Sequence, residues 1–214
     1  MEIKELILLG FSEATITMVL DILETNNNYP TIKVINNLKQ TPIKAFENPK
    51  FNIELLEEYK YDLKDKILLG VTKKENKIKI FEKYNFLSLL NYTQLISKTS
   101  IISTTTTLGR GTIINPLVCI AGHTYIDNFV FINRNVSIGH HTSIGEFSTI
   151  NPGVNIAGNV KIGRNCQIGM GCNIFDGVEV GNNVTIGGGS VVTKNIPDNV
   201  IAYGSPCKII RNII

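Results

Sequence analysis

The chemistry of this 214-residue chain centres on three histidines. His140 and His141 stand side by side in the stretch NVSIGHHTSIG, and His123 lies 18 residues before His141. An imidazole exchanges a proton near neutral pH, so each is a candidate general base, metal ligand or structural hydrogen-bond partner. The four cysteines, Cys119, Cys166, Cys172 and Cys207, have neither CxxC nor Cys/His metal-site spacing. They read as buried small thiols, which pack like small hydrophobes. What the histidines do depends on the regular pattern around them.

That pattern has a period of six. Every sixth residue from Ile102 to Val192 is aliphatic, sixteen in all, with no break in phase. Two residues before each stands Ser, Thr, Val or Cys. Neither the helical period nor strand alternation yields this spacing. It is a hexapeptide repeat and predicts a parallel β-helix, with three flat faces and roughly 18 residues per coil. The aliphatic and the small residue two before it should both point inward. The residue after the aliphatic is expected near a corner, where Gly or Asn tolerates positive φ. Residues 18 apart should stack in adjacent coils. His123 should therefore stack on His141. Asn115, Asn133 and Asn151 should form a ladder of amides that bond one another.

Charge is uneven along the chain. Residues 1–86 hold 26 of the 39 Asp, Glu, Lys and Arg, and residues 97–196 hold 10. The expected division is an N-terminal domain at 1–86, a linker at 87–96, a β-helix at 97–196 and a C-terminal segment at 197–214. In the first part KELILLGF, PTIKVINN and DKILLGV read as strands. SEATITMVLDILETNNN and KKENKIKIFEKY read as helices, with Ser12 or Thr15 capping the first. This order suggests a small α/β unit with a parallel sheet. Ligands of such sheets bind beyond the C-terminal strand ends. Those ends are residues 10–12 (Gly10, Phe11, Ser12), 35–37 (Ile35, Asn36, Asn37) and 70–72 (Gly70, Val71, Thr72). The plainer alternative is a packing domain without a ligand. A net charge of +3 does not point to nucleic acid. No apolar run is long enough to span a bilayer, and MEIKELILLGFSEAT lacks a signal-peptide layout. The expectation is a cytoplasmic protein.

The whole arrangement resembles the sugar-nucleotide N-acyltransferases of bacterial glycan synthesis, which acetylate nucleotide-linked 4-amino-4,6-dideoxysugars. The resemblance rests on the small α/β domain, LISKTSIIS leading into the coils and an Ile-Asn corner seven residues before a histidine. It also rests on the ending VVTKNIPDNVIAYGSPCKIIRN, similar to the family's VVxKDIPDNVVAxGxPAKxI. It implies a left-handed β-helix and a homotrimer, with no metal. It implies acetyl-CoA in the groove between neighbouring β-helices, with the C-terminal segment contributing. A UDP-, dTDP- or GDP-linked amino sugar would sit on a nucleotide-binding N-terminal domain. On this resemblance His140 is the catalytic base, and His141 either orients it or only stacks on His123. Asn133 faces the substrate, and Gly10, Phe11, Ser12, Ile35, Asn36, Asn37, Gly70 and Val71 hold the nucleotide sugar. Thr149, Met170, Gly188 and Pro206 fall on the cofactor side. Three positions depart from the family. Glu13-Ala14-Thr15 replaces Gly-His-Gly in the first loop, His141 stands where an acidic residue is frequent, and Thr149 stands where a second histidine lies near the thioester.

Transfer of acetyl to an amine needs a neutral nitrogen, and an imidazole can take the proton. Backbone N–H groups at corner glycines would meet the charge developing on the carbonyl oxygen. Three other readings compete. An O-acetyltransferase acting on a sugar hydroxyl or serine fits the repeat, but simple members of that kind carry a helical extension or none. A zinc enzyme of the γ-type carbonic anhydrase kind needs a histidine spacing that the adjacent pair does not match. A non-catalytic scaffold would leave His140 dispensable.

Overall fold

The computed structural model describes residues 3–36, 50–56, 58–60, 62 and 64–213. Four parallel strands, β1 (Glu5–Leu9), β2 (Thr31–Ile35), β3 (Ile53–Leu56) and β4 (Ile67–Leu69), form a sheet in the order β3-β2-β1-β4. The sequence reading contains three of these. It lacks β3, in which three residues are half-buried and Leu55 is exposed. Helix α1 (Glu13–Thr25) buries Ile16, Val19, Leu20 and Leu23, a stripe at helical spacing. Helix α2 (Lys74–Lys83) has few apolar residues and buries Lys74, Lys77 and Ile80 instead.

The rest of the chain coils into a parallel β-helix with three faces. The first face is an eight-stranded sheet running from Leu95–Ile96 to the closing hairpin of Val200–Tyr203 and Lys208–Asn212. The second has six strands, from Ile101–Ile102 to Val191–Val192. The third has five, from Thr107–Leu108 to Glu179–Val180. Partners lie one coil apart, as Phe131 pairs with Ile113 on one side and Thr149 on the other. The aliphatic column fills the interior from Ile114 to Val192, and only Ile102 and Leu108, in the first coil, are partly open.

Where the small residue two before the aliphatic is Ser, Thr or Cys and not Val, it has a polar task. The hydroxyls of Thr112, Thr124, Thr142 and Ser148 donate to the carbonyls of Asp127, Gly139, Ala157 and Gly163 in the next coil. The thiols of Cys166 and Cys172 do the same to Gly181 and Gly187, at 3.0 Å. Ser, Thr and Cys interchange there because each offers one donor to a carbonyl of the coil backbone. Burial raises the Cys166 thiol to about 11. Cys119 departs from the buried-thiol expectation. It precedes its aliphatic, so it points outward and is exposed, while Cys207 is half-buried.

Two further expectations are corrected. Positive φ falls three residues after every aliphatic from Leu108 to Ile186, at positions such as His123, Asn135, His141 and Asn159. The residue directly after the aliphatic is small for another reason. A Cβ on Gly139 would lie 2.5 Å from the carbonyl carbon of Ala157, and one on Gly145 2.6 Å from the backbone nitrogen of Arg164. The amides of Asn115 and Asn151 bond the backbone carbonyls of Ile132 and Ile168, not each other. True amide ladders form elsewhere, from Asn165 through Asn183 to Asn199 and between Asn155 and Asn173.

The α/β unit sits on the first face and on the corner between the third and first. Outward-pointing Ile113 and Phe131 join its core. Phe129 and Phe147 stack at 5.0 Å in that corner and receive Phe81, with Tyr92 against Phe129.

The frame is testable at its interior. Ile156 is 3% exposed. Ile156→Asp places a carboxylate where no partner reaches it, a strongly unfavourable burial. The variant is expected to be unfolded by circular dichroism or to fail to accumulate.

Candidate functional site

The parallel sheet ends in a cavity. Gly10, at φ +93°, and Gly70 pack against each other where β1 and β4 finish. A Cβ on Gly70 would collide with the Gly10 carbonyl oxygen, so the two loops can lie this close only as glycines. Above them is a space of about 560 Å³ lined by Phe11, Ser12, Glu13, Ala14, Val71, Thr72, Lys73 and Asn76. Both helices begin here. Neither Ser12 nor Lys73 caps its helix through a side chain, so first-turn N–H groups remain available to an anion. Lys73 adds to that field, while Glu13 opposes it. Of the expected nucleotide-sugar residues, Phe11, Ser12 and Val71 line the cavity, and Gly10 and Gly70 underlie it. Ile35 is fully buried, and its carbonyl accepts from Gly10. The Asn36 N–H donates to Leu56. Neither lines the cavity, and Asn37 lies outside the described residues.

One wall of this cavity is pinned to the β-helix by a buried lysine. Lys77, 2% exposed, donates to the carbonyls of Phe129 and Ser148 and to the Thr149 hydroxyl at 3.0 Å. Thr149 in turn donates to the Thr72 carbonyl at 3.1 Å. Burial lowers the Lys77 amine to about 7, while the negative charge of Glu75 opposes the fall. Thr149, expected on the cofactor side, is thus a buried junction residue beneath the strand-end cavity. The sequence reading missed Lys77. The available signal was the Lys74, Lys77, Ile80 spacing, which places both lysines on the face of α2 that carries its one fully buried aliphatic.

His140 and His141 occupy the corner between the second and third faces, and both are exposed. Their Nδ1 atoms are 3.1 Å apart, with the rings edge to face. His141 also stacks on His123, with ring centroids 5.0 Å apart, as the 18-residue spacing predicts. His141 therefore makes both contacts considered for it. The far edge of the His140 ring faces Gly158 of the next coil. A Cβ there would lie 2.7 Å from Cε1 and 2.9 Å from Nε2. Gly158 is a residue the sequence reading did not single out.

Asn133 is on a different corner, between the first and second faces. It is nearly buried, and its Oδ1 accepts from the Arg134 N–H at 2.9 Å. Asn115 and Asn151 precede prolines, which have no N–H, so their amides turn to the coil backbone instead. Met170 and Gly188 share this corner, with the Met170 carbonyl accepting from Gly189. Pro206 is exposed in the loop tied to Val191 by Gly204 and Cys207. The structure thus gathers the expected residues into three groups, a strand-end cavity, a histidine corner and a Met170–Gly188 corner. Within one chain it does not bring them together.

Comparison with known proteins agrees with this fold. Residues 141–176 and 159–194 match the family model described as bacterial transferase hexapeptide (six repeats). No curated protein matches the chain by sequence. Among solved structures, the acetyltransferase domain of PglB from Neisseria gonorrhoeae superposes with a TM-score of 0.84 at 22% identity, over 97% of this chain and 100% of that one. Perosamine N-acetyltransferase from Caulobacter crescentus, in complex with CoA and GDP-perosamine, gives 0.81 at 18%, over 97% of both chains. WeeI from Acinetobacter baumannii gives 0.79 at 19%, over 96% and 100%. Two stretches of the chain match the hexapeptide-repeat model, and the fold of these solved structures runs through nearly its whole length. Among the described residues, no helix is long and apolar enough to cross a membrane.

The buried lysine yields a prediction. Its folded value, about 7, lies below the ordinary 10.5. Below about pH 7 both folded and unfolded states hold the proton. Between that point and 10.5 the unfolded chain binds it more, so this group adds stability as pH rises. Chemical denaturation of Lys77→Met is expected to lack this rise, which has a ceiling of about 1.4 kcal/mol per pH unit for one proton.

Proposed function

We propose that this protein is an acetyl-CoA-dependent N-acetyltransferase acting on a nucleotide-linked amino-dideoxysugar, most simply a 4-amino-4,6-dideoxysugar destined for a surface glycan. The observation that carries the reading is the His140–His141 pair. With its Nδ1–H donated to His141, exposed His140 is left with its lone pair on Nε2, at the ring edge nearest Gly158. That is the arrangement a general base needs. The sugar's ammonium gives a proton to Nε2, and the nitrogen attacks the thioester carbon. A C–N bond forms, the C–S bond breaks, and the pair of electrons leaves on sulfur. The amide nitrogen sheds its second proton. One of the two protons neutralises the CoA thiolate and the other reaches solvent. A backbone N–H at this glycine-lined corner would meet the carbonyl oxygen as it gains charge.

The strand-end cavity fits the nucleotide diphosphate, with two helix N-termini and Lys73 around it. Residues 1–86 form the nucleotide-sugar domain in this reading, 87–96 the linker and 97–196 the left-handed coil. Residues 197–214 join Met170 and Gly188 in holding acetyl-CoA. The cavity lies on the side of the first face, whereas His140 lies at the opposite corner. One chain therefore cannot close the site, which supports a homotrimer in which a neighbour's histidine corner meets this cavity. The enzyme would act in the cytoplasm, where both substrates are made.

Incubation with acetyl-CoA and UDP-, dTDP- or GDP-linked 4-amino sugars should yield the amide, whereas the hydroxyl counterparts should not react. His140→Ala is expected to lower kcat by roughly 10²–10⁴-fold and to flatten the acid limb of the rate profile, with little change in the acetyl-CoA KM. Retained activity would remove His140 from the mechanism. Sedimentation at micromolar concentration should give a trimer, and a monomer would contradict the shared site.

A further inference from the structure

The start of α2 runs against the usual charge preference of a helix. Cations are disfavoured at a helix N-terminus, yet Lys73 at the N-cap, Lys74 and Lys77 stand there against the single acid Glu75. Two of them are buried. Lys74, 8% exposed, reaches the Thr185 hydroxyl at 3.4 Å, and Lys77 lies deeper, bonded to Phe129, Ser148 and Thr149. The partners of Lys77 all accept. Two are carbonyls, and the Thr149 hydroxyl gives its own hydrogen to the Thr72 carbonyl. Three acceptors suit an ammonium with three N–H groups, whereas a neutral amine would aim its lone pair at one of them.

A buried ammonium ordinarily has an anion beside it. Among the described residues Lys77 has no ion-pair partner. Glu75, on its own helix, is the acid whose charge acts on it. On the coil, Asp127 accepts from the Asn128 N–H and the Tyr125 hydroxyl, and Glu146 faces Arg164 at 4.0 Å. The strand-end loop of residues 70–72 brings no charge. The Tyr92 phenol, in the aromatic seam beside Phe81, is pushed up to about 12 by burial and is neutral. What does adjoin Lys77 is the strand-end cavity. Lys73 and Asn76, within one turn of it on α2, line that cavity, and Thr72, one hydrogen bond beyond Thr149, forms part of the wall.

We propose that Lys77 is the buried counter-charge for the anion held in the strand-end cavity, so that a nucleotide diphosphate binds there together with a proton on Lys77. This rests on the reading of that cavity as the nucleotide-sugar site. An anion on the other side of the wall favours ammonium over amine, because charges inside a protein are screened little. The unliganded amine sits at about 7, and the bound anion raises it. Below about pH 7 the proton is present with and without ligand, and none is taken up. Above that point the complex keeps a proton that the free protein has shed, so binding takes it up and weakens as pH rises.

The test is isothermal titration of the intact protein with UDP-, dTDP- and GDP-linked 4-acetamido-4,6-dideoxysugars. These are products of the proposed reaction, and they carry neither an amine nor a terminal phosphate to titrate in this range. Each titration is run in Tris and in HEPES, whose heats of ionisation differ, so the difference gives the protons taken up. At about pH 8 binding should take up part of a proton per site, at most one, and at about pH 6 none. The Kd should rise by up to about tenfold per pH unit above pH 7. Lys77→Met should bind about tenfold more weakly at about pH 6, with neither the uptake nor the pH dependence. Lys77→Arg, which stays charged, should hold its affinity across the range. In wild-type protein labelled with 13C at lysine Cε, the titration midpoint of Lys77 should move upward on saturation, a readout that needs no variant. Wild-type binding without proton uptake, an unmoved midpoint, or uptake that persists in the variants overturns the role of Lys77 and leaves the nucleotide reading intact. A wild-type protein that binds none of the three sugars overturns both.

Discussion

Each coil must return its backbone to the same height and phase one turn later, because through most of the coil the N–H of each strand's first residue bonds a carbonyl of the next coil. The N–H of Thr149 donates to Cys166 at 2.8 Å, and that of Phe131 to Ser148 at 3.0 Å. Among the described residues no strand of the coil is longer than two residues until the closing hairpin, so no single strand could hold this register alone. The inward aliphatics, the Ser, Thr and Cys donors and the glycines of close approach all enforce it together. Once the register is fixed, side chains fall into columns. Chemistry is then a property of a column, as in the His123–His141 stack.

The left-handed position of each corner shows where the coil meets something else. Asn or Gly fills it in most coils, since other residues are strained there. Phe129 and Phe147 break that rule and carry the aromatic seam with Phe81 and Tyr92. His123 and His141 break it at another corner, where both are exposed among the described residues. Uncompensated backbone strain of this kind is characteristic of functional positions. It accords with a surface completed by a neighbouring copy.

The junction between the two parts is polar at its centre. Lys77 bonds the coil at Phe129, Ser148 and Thr149, and Thr149 bonds Thr72 at the cavity wall. A buried amine among carbonyls costs desolvation, but its bonds specify one docking geometry. The cavity is thereby held in a set position relative to the coils. That matters if a nucleotide on one element must deliver a sugar to a base on another.

The six-residue period, the inward column, the histidine stack and the α/β unit were legible in the sequence, because each follows from local spacing. The stretch that became β3 carried only the short alternation of Phe51, Ile53 and Leu55 with Asn52 and Glu54, a weaker signal than the continuous apolar runs of the other strands. The Asn133 ladder was misjudged because its neighbours' amides answer to prolines and to backbone carbonyls, not to each other. Thr149 was legible as a repeat position, but its link to Lys77 and Thr72 was not. That contact joins residues more than seventy positions apart. Periodicity along a chain determines which way a side chain points, since the backbone repeats. Only the tertiary structure decides which distant element arrives opposite it, because docking of α2 on the first face depends on the whole shape of both surfaces.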